Sequence, residues 1–503
     1  MILRLYTFVG LTLFCNFAYS SNKNEEDNSI RKVQIAIVGG GMSGLSTAYY
    51  LGDQHKNLDI HVFEAKGNLG GRTCTHYFDS NRTQYFEQGG TTIDVEHTKT
   101  IELAKKLNIP LIKVEYGVGK LSVIHEGKEI SSQRLIESLE KSKELFCQEA
   151  KRINSNPEDE YTWDIQSEEC RCKSFSTVFD KLKDPLSKAF WQTLIKDECG
   201  IELENAISIC TQWLELEASN YERLISSREN RWVPNFLINY LAYEYRVEGG
   251  MSRLVEAVAS KTSEKNIHLN HALKIIDKQD GQYHLSFEKR QDSGINALEK
   301  VIAEKVVLTL PFSTLRDVKI TESVGLNPTQ FKAINTFSYG TNSKIGFPVD
   351  GSFEMLYHIN LNEQFISWPG EKAVTIMLGG NSGQELDVSK ASTLVDAEKA
   401  TLKTIYPQIG NFGQPIIKNW ADDEFAKGSY SAITTNMDQN LLTPSDNPLF
   451  KGMFKFAEST ADQGLFFAGE HTRSDEFRSH IEGAVRSGKK VAKAINKSMI
   501  NLK

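Results

Sequence analysis

A short apolar segment followed by closely spaced glycines constrains the fold of this chain more than any other feature. Val33 to Val38 is a run of strand-forming residues that leads into residues 39–44 (Gly-Gly-Gly-Met-Ser-Gly), and a helix-forming segment, 45–51, follows. A second short strand is predicted to end at Glu64, which would accept hydrogen bonds from the hydroxyls of an adenosine ribose. This order of strand, Gly-x-Gly-x-x-Gly turn, helix, strand and acid is the fingerprint of a dinucleotide-binding fold. It predicts a doubly wound α/β domain.

The spaced glycines of this fingerprint have separate roles. Gly39 permits the sharp turn, Gly41 allows the backbone to approach a pyrophosphate, and Gly44 allows the helix to pack closely on the strand. The first helical turn, which includes Met42 and Ser43, would direct its N–H groups towards the phosphates. An ordinary glycine turn without a ligand is the alternative interpretation.

The length and charge of the chain restrict its class. At 503 residues it is long enough for two domains or more. Its hydrophobic content of 40% and charged content of 24% are typical of a folded globular protein. The formal net charge of −7 and the scattered Lys and Arg residues lack the basic stripe of a nucleic-acid-binding protein. No nucleic-acid partner is therefore predicted.

The N-terminal residues have the pattern of an export signal. Arg4 precedes an apolar run from Leu5 to Phe17, and residues 18–20 (Ala-Tyr-Ser) then place small residues at the spacing of a cleavage site. We therefore expect residues 1–20 to be a signal peptide, residues 21–32 to be a polar linker, and the protein to be secreted or periplasmic. A membrane anchor is the alternative, but the run is short for crossing a bilayer, and no stable membrane span is expected elsewhere.

The cysteines do not predict a metal site. Seven are present, of which Cys15 belongs to the predicted signal peptide. The other six are Cys74, Cys147, Cys170, Cys172, Cys199 and Cys210. In an oxidising compartment some of them could pair as disulfides, and plain buried thiols are the alternative. No Cys-x-x-Cys motif or nearby pair of His residues supports metal ligation.

The remaining segments alternate between two kinds of pattern. Segments 33–105, 245–325 and 446–497 combine short apolar strands with helices, as in a doubly wound α/β domain. Segment 106–244 is mainly helical, with an amphipathic, serine-capped helix predicted over 131–153 and a polar surface loop over 154–172. Segment 326–445 is rich in predicted strands. This division predicts a discontinuous cofactor-binding domain and a discontinuous substrate-binding domain of mixed sheet and helices. The fold class is α/β, or α+β when the whole chain is counted.

Motifs at both ends of the chain match one known family. The fingerprint is followed by Gly70-Gly71-Arg72, and near the C-terminus residues 468–472 (Ala-Gly-Glu-His-Thr) precede residues 482–488 (Glu-Gly-Ala-Val-Arg-Ser-Gly). Two further segments, 247–254 and 428–431, match the same family in the same order along the chain. Nearly the whole chain therefore resembles the flavin-containing amine oxidases. This superfamily includes monoamine, polyamine and L-amino acid oxidases. The resemblance is weakest between about residues 120 and 240.

The resemblance implies an FAD held by a domain assembled from three segments. Glu64 would hold the adenosine ribose, Arg72 would lie at the pyrophosphate, and Glu470 would bind the ribityl chain. The helix that begins near Ile481 would direct its N-terminus at the pyrimidine edge of the flavin, and Leu273 would offer its backbone to the adenine. The full set of predicted cofactor-binding residues is Gly39, Gly41, Met42, Ser43, Gly44, Glu64, Gly71, Arg72, Gly89, Gly90, Leu273, Gly469, Glu470 and Ile481.

In this family the chemistry belongs mainly to the flavin. A hydride moves from the α-carbon of the amine to flavin N5, water hydrolyses the imine, and O2 reoxidises the flavin with formation of hydrogen peroxide. The family places a lysine on a β-strand, where it holds a water near N5. The block 339–347 (Tyr-Gly-Thr-Asn-Ser-Lys-Ile-Gly-Phe) assigns that role to Lys344. A surface lysine on an edge strand is the alternative interpretation.

Two further residues are predicted to act on the substrate. In the monoamine oxidase branch the amine passes between two aromatic side chains, and here Tyr430 occupies one of those positions and His480 the other. His480 is either a hydrogen-bonded histidine at a helix start or a residue that contacts the substrate. Ser429 stands where monoamine oxidases carry the cysteine that binds flavin covalently, so the FAD is predicted to be non-covalent.

The resemblance leaves the substrate open. L-amino acid oxidases of the snake-venom type place an arginine after the glycine turn to bind the substrate carboxylate, whereas Thr91 and Thr92 stand here. An amine without a carboxylate is therefore favoured, unless Arg231 or Arg246 takes that role. The leading prediction is an exported FAD-dependent amine oxidase with a small-molecule amine and O2 as partners, and a homodimer is a further expectation. The alternatives are an L-amino acid oxidase, an FAD-dependent dehydrogenase or desaturase of a non-amine substrate, and a non-catalytic flavoprotein.

Overall fold

Two large β-sheets with helices packed against them form the architecture that the computed structural model shows. It describes residues 30–55, 57–114, 120–153, 174, 176–206, 245–291, 294, 297–351, 355–370, 372–436, 464–472 and 478–500. Both sheets contain parallel and antiparallel strand pairs. The predicted fold class, a doubly wound α/β domain with a second domain of mixed sheet and helices, is confirmed.

The bounds of the elements are as follows, in chain order. The strands are β1 (Arg31–Val38), β2 (Ile60–Phe63), β3 (Thr75–Tyr77), β4 (Tyr85–Glu87), β5 (Leu111–Lys113), β6 (Lys120–His125), β7 (Lys128–Glu129), β8 (Tyr245–Val247), β9 (Ile267–His268), β10 (His271–Gln279), β11 (Gln282–Lys289), β12 (Ala297–Leu308), β13 (Lys319–Ile320), β14 (Ser338–Tyr339), β15 (Ser343–Pro348), β16 (Met355–Asn360), β17 (Phe365–Pro369), β18 (Ala373–Leu378), β19 (Ile416–Asn419), β20 (Ser431–Ala432) and β21 (Leu465–Phe467). The helices are α1 (Met42–Gln54), α2 (Thr98–Lys106), α3 (Ser132–Ile153), α4 (Ser176–Phe179), α5 (Pro185–Cys199), α6 (Ser252–Ala259), α7 (Phe312–Leu315), α8 (Pro328–Thr336), α9 (Gly380–Gln384), α10 (Val388–Ile405) and α11 (Ile481–Ile500).

The first sheet has eight strands in the order β13-β10-β11-β12-β1-β2-β9, and β21 also pairs with β12. Strand β1 is parallel to both of its neighbours, with Ile37 opposite Val62 on β2 and opposite Val307 on β12. All three side chains are fully buried. Parallel strands covered on both faces require such apolar runs, which explains why the segment that opens the fingerprint contains so few polar residues.

Strand β21 brings the C-terminal motif beside the N-terminal one. It is parallel to β12, with Phe466 opposite Val307, so it lies one strand away from β1. The following helix, α11, packs on α1 at a glycine, because a Cβ on Gly488 would lie 2.5 Å from the carbonyl oxygen of Ser43. The two motifs therefore reach the same edge of the first sheet.

The second sheet has seven strands in the order β19-β15-β18-β17-β16-β6-β7. Side chains of α3 and α5, such as Leu139 and Phe190, pack with Ile366 against one face. Side chains of α10, such as Leu394, pack with Ile376 against the other. Strand β15, which carries Lys344, pairs with β18 and β19 and is therefore an interior strand of this sheet.

Several local predictions can be compared with the structure. A serine-capped helix is predicted over 131–153, and α3 confirms it, because the backbone N–H of Arg134 donates to Ser131 Oγ at 3.3 Å. Strand β1 begins at Arg31, so the last two residues of the predicted linker belong to the sheet. Cys74 and Cys199 are free thiols.

Some predictions lie outside the described residues. These are the signal peptide, nearly all of the linker, the loop predicted over 154–172, and the positions of Cys170, Cys172, Cys210 and Arg231. The domain boundaries remain a prediction. No helix among the described residues is long and apolar enough to cross a membrane. Within the same residues, no group of three or more His, Cys, Asp or Glu side chains is placed to hold a metal ion.

Candidate active site

One cavity of about 510 Å³ brings the predicted site residues together. It is lined by Lys344, Tyr430, His480 and every predicted cofactor-binding residue except Gly44. Gly44 has a packing role instead, since a Cβ there would lie 2.0 Å from the carbonyl oxygen of Gly39. The residues come from both ends of the chain and from its middle, so the fold, and not the sequence order, assembles this site.

The start of α1 has the geometry of a phosphate-binding turn. Gly39 has φ +112°, and a Cβ there would lie 2.3 Å from Thr309 Oγ1, so only glycine fits. Gly41 occupies the N-cap position, and no side chain caps the helix there. The N–H groups of the first turn therefore lack the usual side-chain acceptor and face the cavity at Met42 and Ser43. This arrangement fits a dinucleotide pyrophosphate.

Glu64 and Leu273 lie at the predicted adenosine end of the cavity. The Glu64 carboxylate accepts the N–H groups of Gly40 at 2.7 Å and Lys66 at 2.8 Å, and burial raises its pKa. These two bonds leave acceptor positions for a ribose hydroxyl. At Leu273 the pairing of β10 with β11 shifts register before Ile275, which interrupts the regular ladder where the cavity meets this strand.

A buried ion pair joins the two motif segments. Arg72 Nη1 donates to Glu470 Oε1 at 2.7 Å and to the carbonyl oxygen of Ser429 at 2.9 Å. The pair links residues from the N-terminal and C-terminal segments of the chain across the cavity wall. It also orients the Arg72 guanidinium, which is the group predicted to lie at the pyrophosphate.

Hydrogen-bond donors of the protein occupy all acceptor positions of the Glu470 carboxylate. Besides Arg72, it accepts Ser431 N at 3.2 Å, Ser431 Oγ at 2.6 Å and Ser479 N at 3.0 Å. Burial alone would raise its pKa, but the charges of Arg72 and His471 and the Ser431 hydrogen bond lower that pKa to about 2. Four donors fill the acceptor positions of a carboxylate. A predicted contact between this side chain and a ribityl chain would therefore displace one of them.

Helix α11 begins at the cavity, as predicted for the flavin end. Ile481 and Ala484 line the cavity, and a Cβ on Gly90 would lie 2.6 Å from Ile481 Cδ1. In the same first turn, Glu482 is buried and accepts the N–H groups of Lys99 at 3.0 Å and Thr100 at 2.8 Å. Glu482 thereby caps α2 and fixes α11 relative to it.

Lys344 lies in the wall of the cavity and is buried, with 7% of its surface exposed. Its amine donates to the carbonyl oxygen of Gly89 at 2.7 Å and to Thr91 Oγ1 at 2.9 Å. It also lies 5.4 Å from the centre of a Trp368 ring. Burial lowers the pKa of Lys344 to about 8, against the opposing charges of Glu87 and Asp197. The alternative interpretation, a lysine at the surface on an edge strand, is wrong.

Tyr430 and His480 both line this cavity. The Tyr430 hydroxyl donates to the carbonyl oxygens of Asp197 at 2.8 Å and Glu198 at 2.6 Å, at the C-terminal end of α5, which fixes the ring. His480 Nδ1 lies 2.8 Å from the carbonyl oxygen of Arg478. Because a carbonyl only accepts, Nδ1 carries a proton. His480 is thus hydrogen-bonded at a helix start and also forms part of the cavity wall, and its contact with a substrate remains a prediction.

Ser429 is held by the protein at the predicted flavin attachment position. Its hydroxyl donates to Asn342 Oδ1 at 2.6 Å, and Asn342 Nδ2 donates to the carbonyl oxygen of Asp197 at 2.6 Å. Both Ser429 and Asn342 are buried in the cavity wall. A hydroxyl engaged in this way has no thiolate chemistry to offer a flavin.

Several lining residues were not predicted from the sequence. They are His97, Asp197, Glu198, Asn342, Tyr357, Trp368, Met377 and Trp420. Arg246, which was named only as a substitute carboxylate ligand, also lines the cavity, and its Nη2 donates to the carbonyl oxygen of Pro369 at 3.3 Å. Apart from Asn342, which lies in the block 339–347, these residues carry no local motif. They line the cavity because elements that are remote in sequence pack around it.

Comparisons with known proteins identify the family that this chain resembles over most of its length. A family model described as flavin containing amine oxidoreductase matches residues 42–496. The flavin-dependent L-tryptophan oxidase RebO of Lentzea aerocolonigenes is 21% identical over 493 residues, covering 92% of this chain and 98% of the relative. An L-amino-acid oxidase of Crotalus adamanteus is 23% identical over 516 residues, covering 93% of this chain and 88% of the relative.

Solved structures share the fold at low sequence identity. A double mutant of putrescine oxidase superposes with a TM-score of 0.69 at 16% identity, covering 93% of this chain and 100% of that one. Cyclohexylamine oxidase from Brevibacterium oxydans IH-35A superposes with a TM-score of 0.66 at 16% identity, covering 93% and 99%. The similarity extends over both sheets.

Proposed function

Because the chain belongs to the family of flavin-containing amine oxidoreductases, we propose that it is an FAD-dependent oxidase of a primary or secondary amine. The α-carbon of the amine would lose a hydride, the imine would be hydrolysed, and O2 would be reduced to hydrogen peroxide. The observation that carries this proposal is the position of Lys344. Its buried amine lies in the wall of the same cavity as the phosphate-binding turn and Arg72.

Different residues along the cavity have different proposed roles in binding and reaction. When bound, FAD would supply the hydride acceptor and the reductant of O2. The first turn of α1 and the oriented Arg72 would hold its pyrophosphate, and the N-terminus of α11 would favour negative charge at the other end. The fixed ring of Tyr430 and the ring of His480 would orient the amine. Burial keeps the pKa of Lys344 near 8, so this amine can hold or release a proton at Nζ near neutral pH.

A substrate panel tests the proposal directly. Purified flavin-loaded protein is assayed for hydrogen peroxide with monoamines, diamines, polyamines and L-amino acids. We expect peroxide with at least one amine, and a protein that oxidises none of them would refute the proposal. Anaerobic flavin bleaching followed by slow reoxidation in air would instead indicate a dehydrogenase.

A second candidate, oxidation of an L-amino acid, is favoured by Arg246. This arginine lines the same cavity as Lys344 and stands on β8, next to β5. Its buried Nε has no hydrogen-bond partner among the described residues, so the guanidinium retains a donor for a carboxylate. If the candidate is right, Arg246→Met raises the KM for L-amino acids far more than the KM for amines of the same length. An equal effect on both substrate types would contradict it.

Export is also part of this proposal, and it is supported by the pattern of residues 1–20. Expression of the full chain followed by N-terminal sequencing of the secreted or periplasmic fraction tests it. We expect the mature chain to begin at Ser21. Recovery of uncleaved protein in the cytoplasmic fraction alone would contradict export.

A further inference from the structure

The amine of Lys344 is held by one short segment, residues 87–91. Its three acceptors are the carbonyl oxygen of Glu87 at 3.4 Å, the carbonyl oxygen of Gly89 at 2.7 Å and Thr91 Oγ1 at 2.9 Å. Because all three acceptors follow or end β4, whatever fixes this segment also fixes the position of Nζ. The side chain that anchors this segment therefore also determines where the amine of Lys344 lies.

That anchor is the carboxylate of Glu87, a residue that is 7% exposed and does not line the cavity. Its Oε1 accepts the N–H of Met251 at 2.8 Å, immediately before α6, and its Oε2 accepts the Thr75 hydroxyl at 2.7 Å. Thr75 is held in turn, because Ser252 N donates to Thr75 Oγ1 at 3.0 Å. The carboxylate thus fastens the 87–91 segment to β3 and to the start of α6.

Glu87 and Lys344 also influence each other electrostatically. Burial raises the pKa of Glu87 to about 7, while the Met251 and Thr75 hydrogen bonds and the charge of Lys344 oppose the rise. Burial lowers the pKa of Lys344, and the charge of Glu87 is the largest of the opposing charges. An ionised Glu87 therefore raises the pKa of Lys344 and favours its ammonium form.

The other groups around this pair come from separate elements. Asp197 on α5 and Cys74 before β3 act on Lys344 in the same direction as Glu87 but less strongly. Arg246 on β8 favours the ionised form of Glu87. Lys418 lies opposite Lys344 on β19, and its amine is paired with Asp423. Among the groups that act on Lys344, only Glu87 also supplies one of its hydrogen-bond acceptors.

We propose that Glu87 is a positioning residue for the reaction, which holds the segment that binds Lys344 and whose charge favours the protonated form of that lysine. This inference rests on the proposed amine oxidation at the same site. It assigns a role to a side chain that does not line the cavity. It also implies that the protonation state of Lys344 depends on the last residue of β4.

The test compares Glu87→Gln with the wild-type protein by two measurements. The first is the pH profile of flavin reduction in anaerobic single turnovers with the best amine of the panel. The second is the pKa of Lys344, obtained without turnover from competitive acetylation at a series of pH values and mass spectrometry of the peptide. We expect the labelling pKa of Lys344 and the acidic limb of the rate profile to fall together by at least about half a pH unit.

A further variant weakens the anchor without removing the carboxylate. Thr75→Val removes one hydrogen bond that favours the ionised form of Glu87, so the reduction rate should fall, and the labelling pKa of Lys344 should fall by less than in Glu87→Gln. If Thr75→Val lowers the labelling pKa more than Glu87→Gln does, the electrostatic role is wrong. An unchanged profile and an unchanged labelling pKa in a folded, flavin-loaded Glu87→Gln protein would overturn the proposal.

The outcome stays decisive if Glu87→Gln does not fold. Glu87→Asp then replaces it, because the shorter side chain withdraws the carboxylate from Met251 and Thr75, and an unchanged rate profile in this variant would also overturn the proposal. A wild-type protein that oxidises no amine would refute the proposed function, whereas the labelling measurement would still report whether Glu87 controls Lys344. The two failures are therefore distinguishable.

Discussion

The buried pair of Arg72 and Glu470 makes a quantitative prediction about stability. In Glu470→Gln the side chain keeps its size but loses its charge and one acceptor oxygen. The Arg72 guanidinium, whose side chain is only 21% exposed, then loses its anionic partner. Removing one member of a buried pair typically costs about 3–5 kcal/mol, because the remaining charge is left without compensation.

The pKa of Glu470 leads independently to a similar magnitude. Its ordinary pKa of 4.5 falls to about 2 in the folded protein, a difference of about 2.5 units. At about 1.36 kcal/mol per unit, ionised Glu470 contributes about 3 kcal/mol to the free energy of unfolding. Because the folded pKa is the lower one, this contribution is fully present above about pH 5 and is lost as the pH falls towards 2. For 503 residues, an unfolding entropy of about 1 kcal/mol/K converts the loss into about 3 °C of Tm.

Urea unfolding of flavin-free protein at a series of pH values measures this contribution. We expect Glu470→Gln to be less stable than the wild type by about 3 kcal/mol at pH 7 and by less at pH 3.5, where Glu470 is still ionised in the folded protein but largely protonated in the unfolded chain. Glu256→Gln is the matched control, since its ion pair with Arg82 is about half exposed and should contribute less than about 1 kcal/mol. Equal stability of Glu470→Gln and the wild type at pH 7, or a difference that does not depend on pH, would refute the reasoning.

Three further predictions concern the cofactor and the reaction. Lys344→Met should lower the rate of flavin reduction by about 10²–10⁴-fold in stopped-flow experiments, because proton handling at Nζ is lost, and an unchanged rate would show that Lys344 has no such role. Gly44→Ala should lower the ratio of flavin to protein absorbance after purification, since its Cβ would meet Gly39 O at 2.0 Å, whereas Gly52→Ala on the same helix has no atom within 4 Å and should retain flavin while gaining about 0.5–1 kcal/mol. Acid precipitation of the wild-type protein should release all flavin into the supernatant, because Ser429 offers no thiolate, and flavin in the pellet would contradict non-covalent binding.

The parts of the fold that were predictable from the sequence are those with a local cause. The fingerprint turn needs Gly39 at φ +112° and Gly44 at a close helix contact, and both requirements are visible in the glycine spacing. The apolar run of β1 and the buried end of β12, residues 306–308, follow from burial on both faces of a parallel sheet. Helix α3 follows from its apolar periodicity and its serine cap. The position of Lys344 was predictable only through resemblance to a family.

The parts that could not be predicted depend on contacts between distant segments. No sequence motif includes Arg246 or Asp197, and they line the cavity because β8, which pairs with β5, and α5, which packs on the second sheet, bring them there. The role predicted for Glu470 was also incomplete. Its motif suggests a cofactor ligand, but its four hydrogen bonds to Arg72, Ser431 and Ser479 depend on two loops that are remote in sequence. Sequence spacing contains no information about such saturation of a carboxylate.

Because its hydrogen bonds are all made to the protein, Glu470 joins the two ends of the chain to each other. The fingerprint segment and the C-terminal motif are joined by β21 beside β12, by α11 on α1, and by the pair of Arg72 and Glu470. These contacts are all made between groups of the protein itself. The same contacts also mean that a substitution such as Glu470→Gln, which weakens the joint between the two ends, should weaken flavin retention even if Glu470 never touches the flavin.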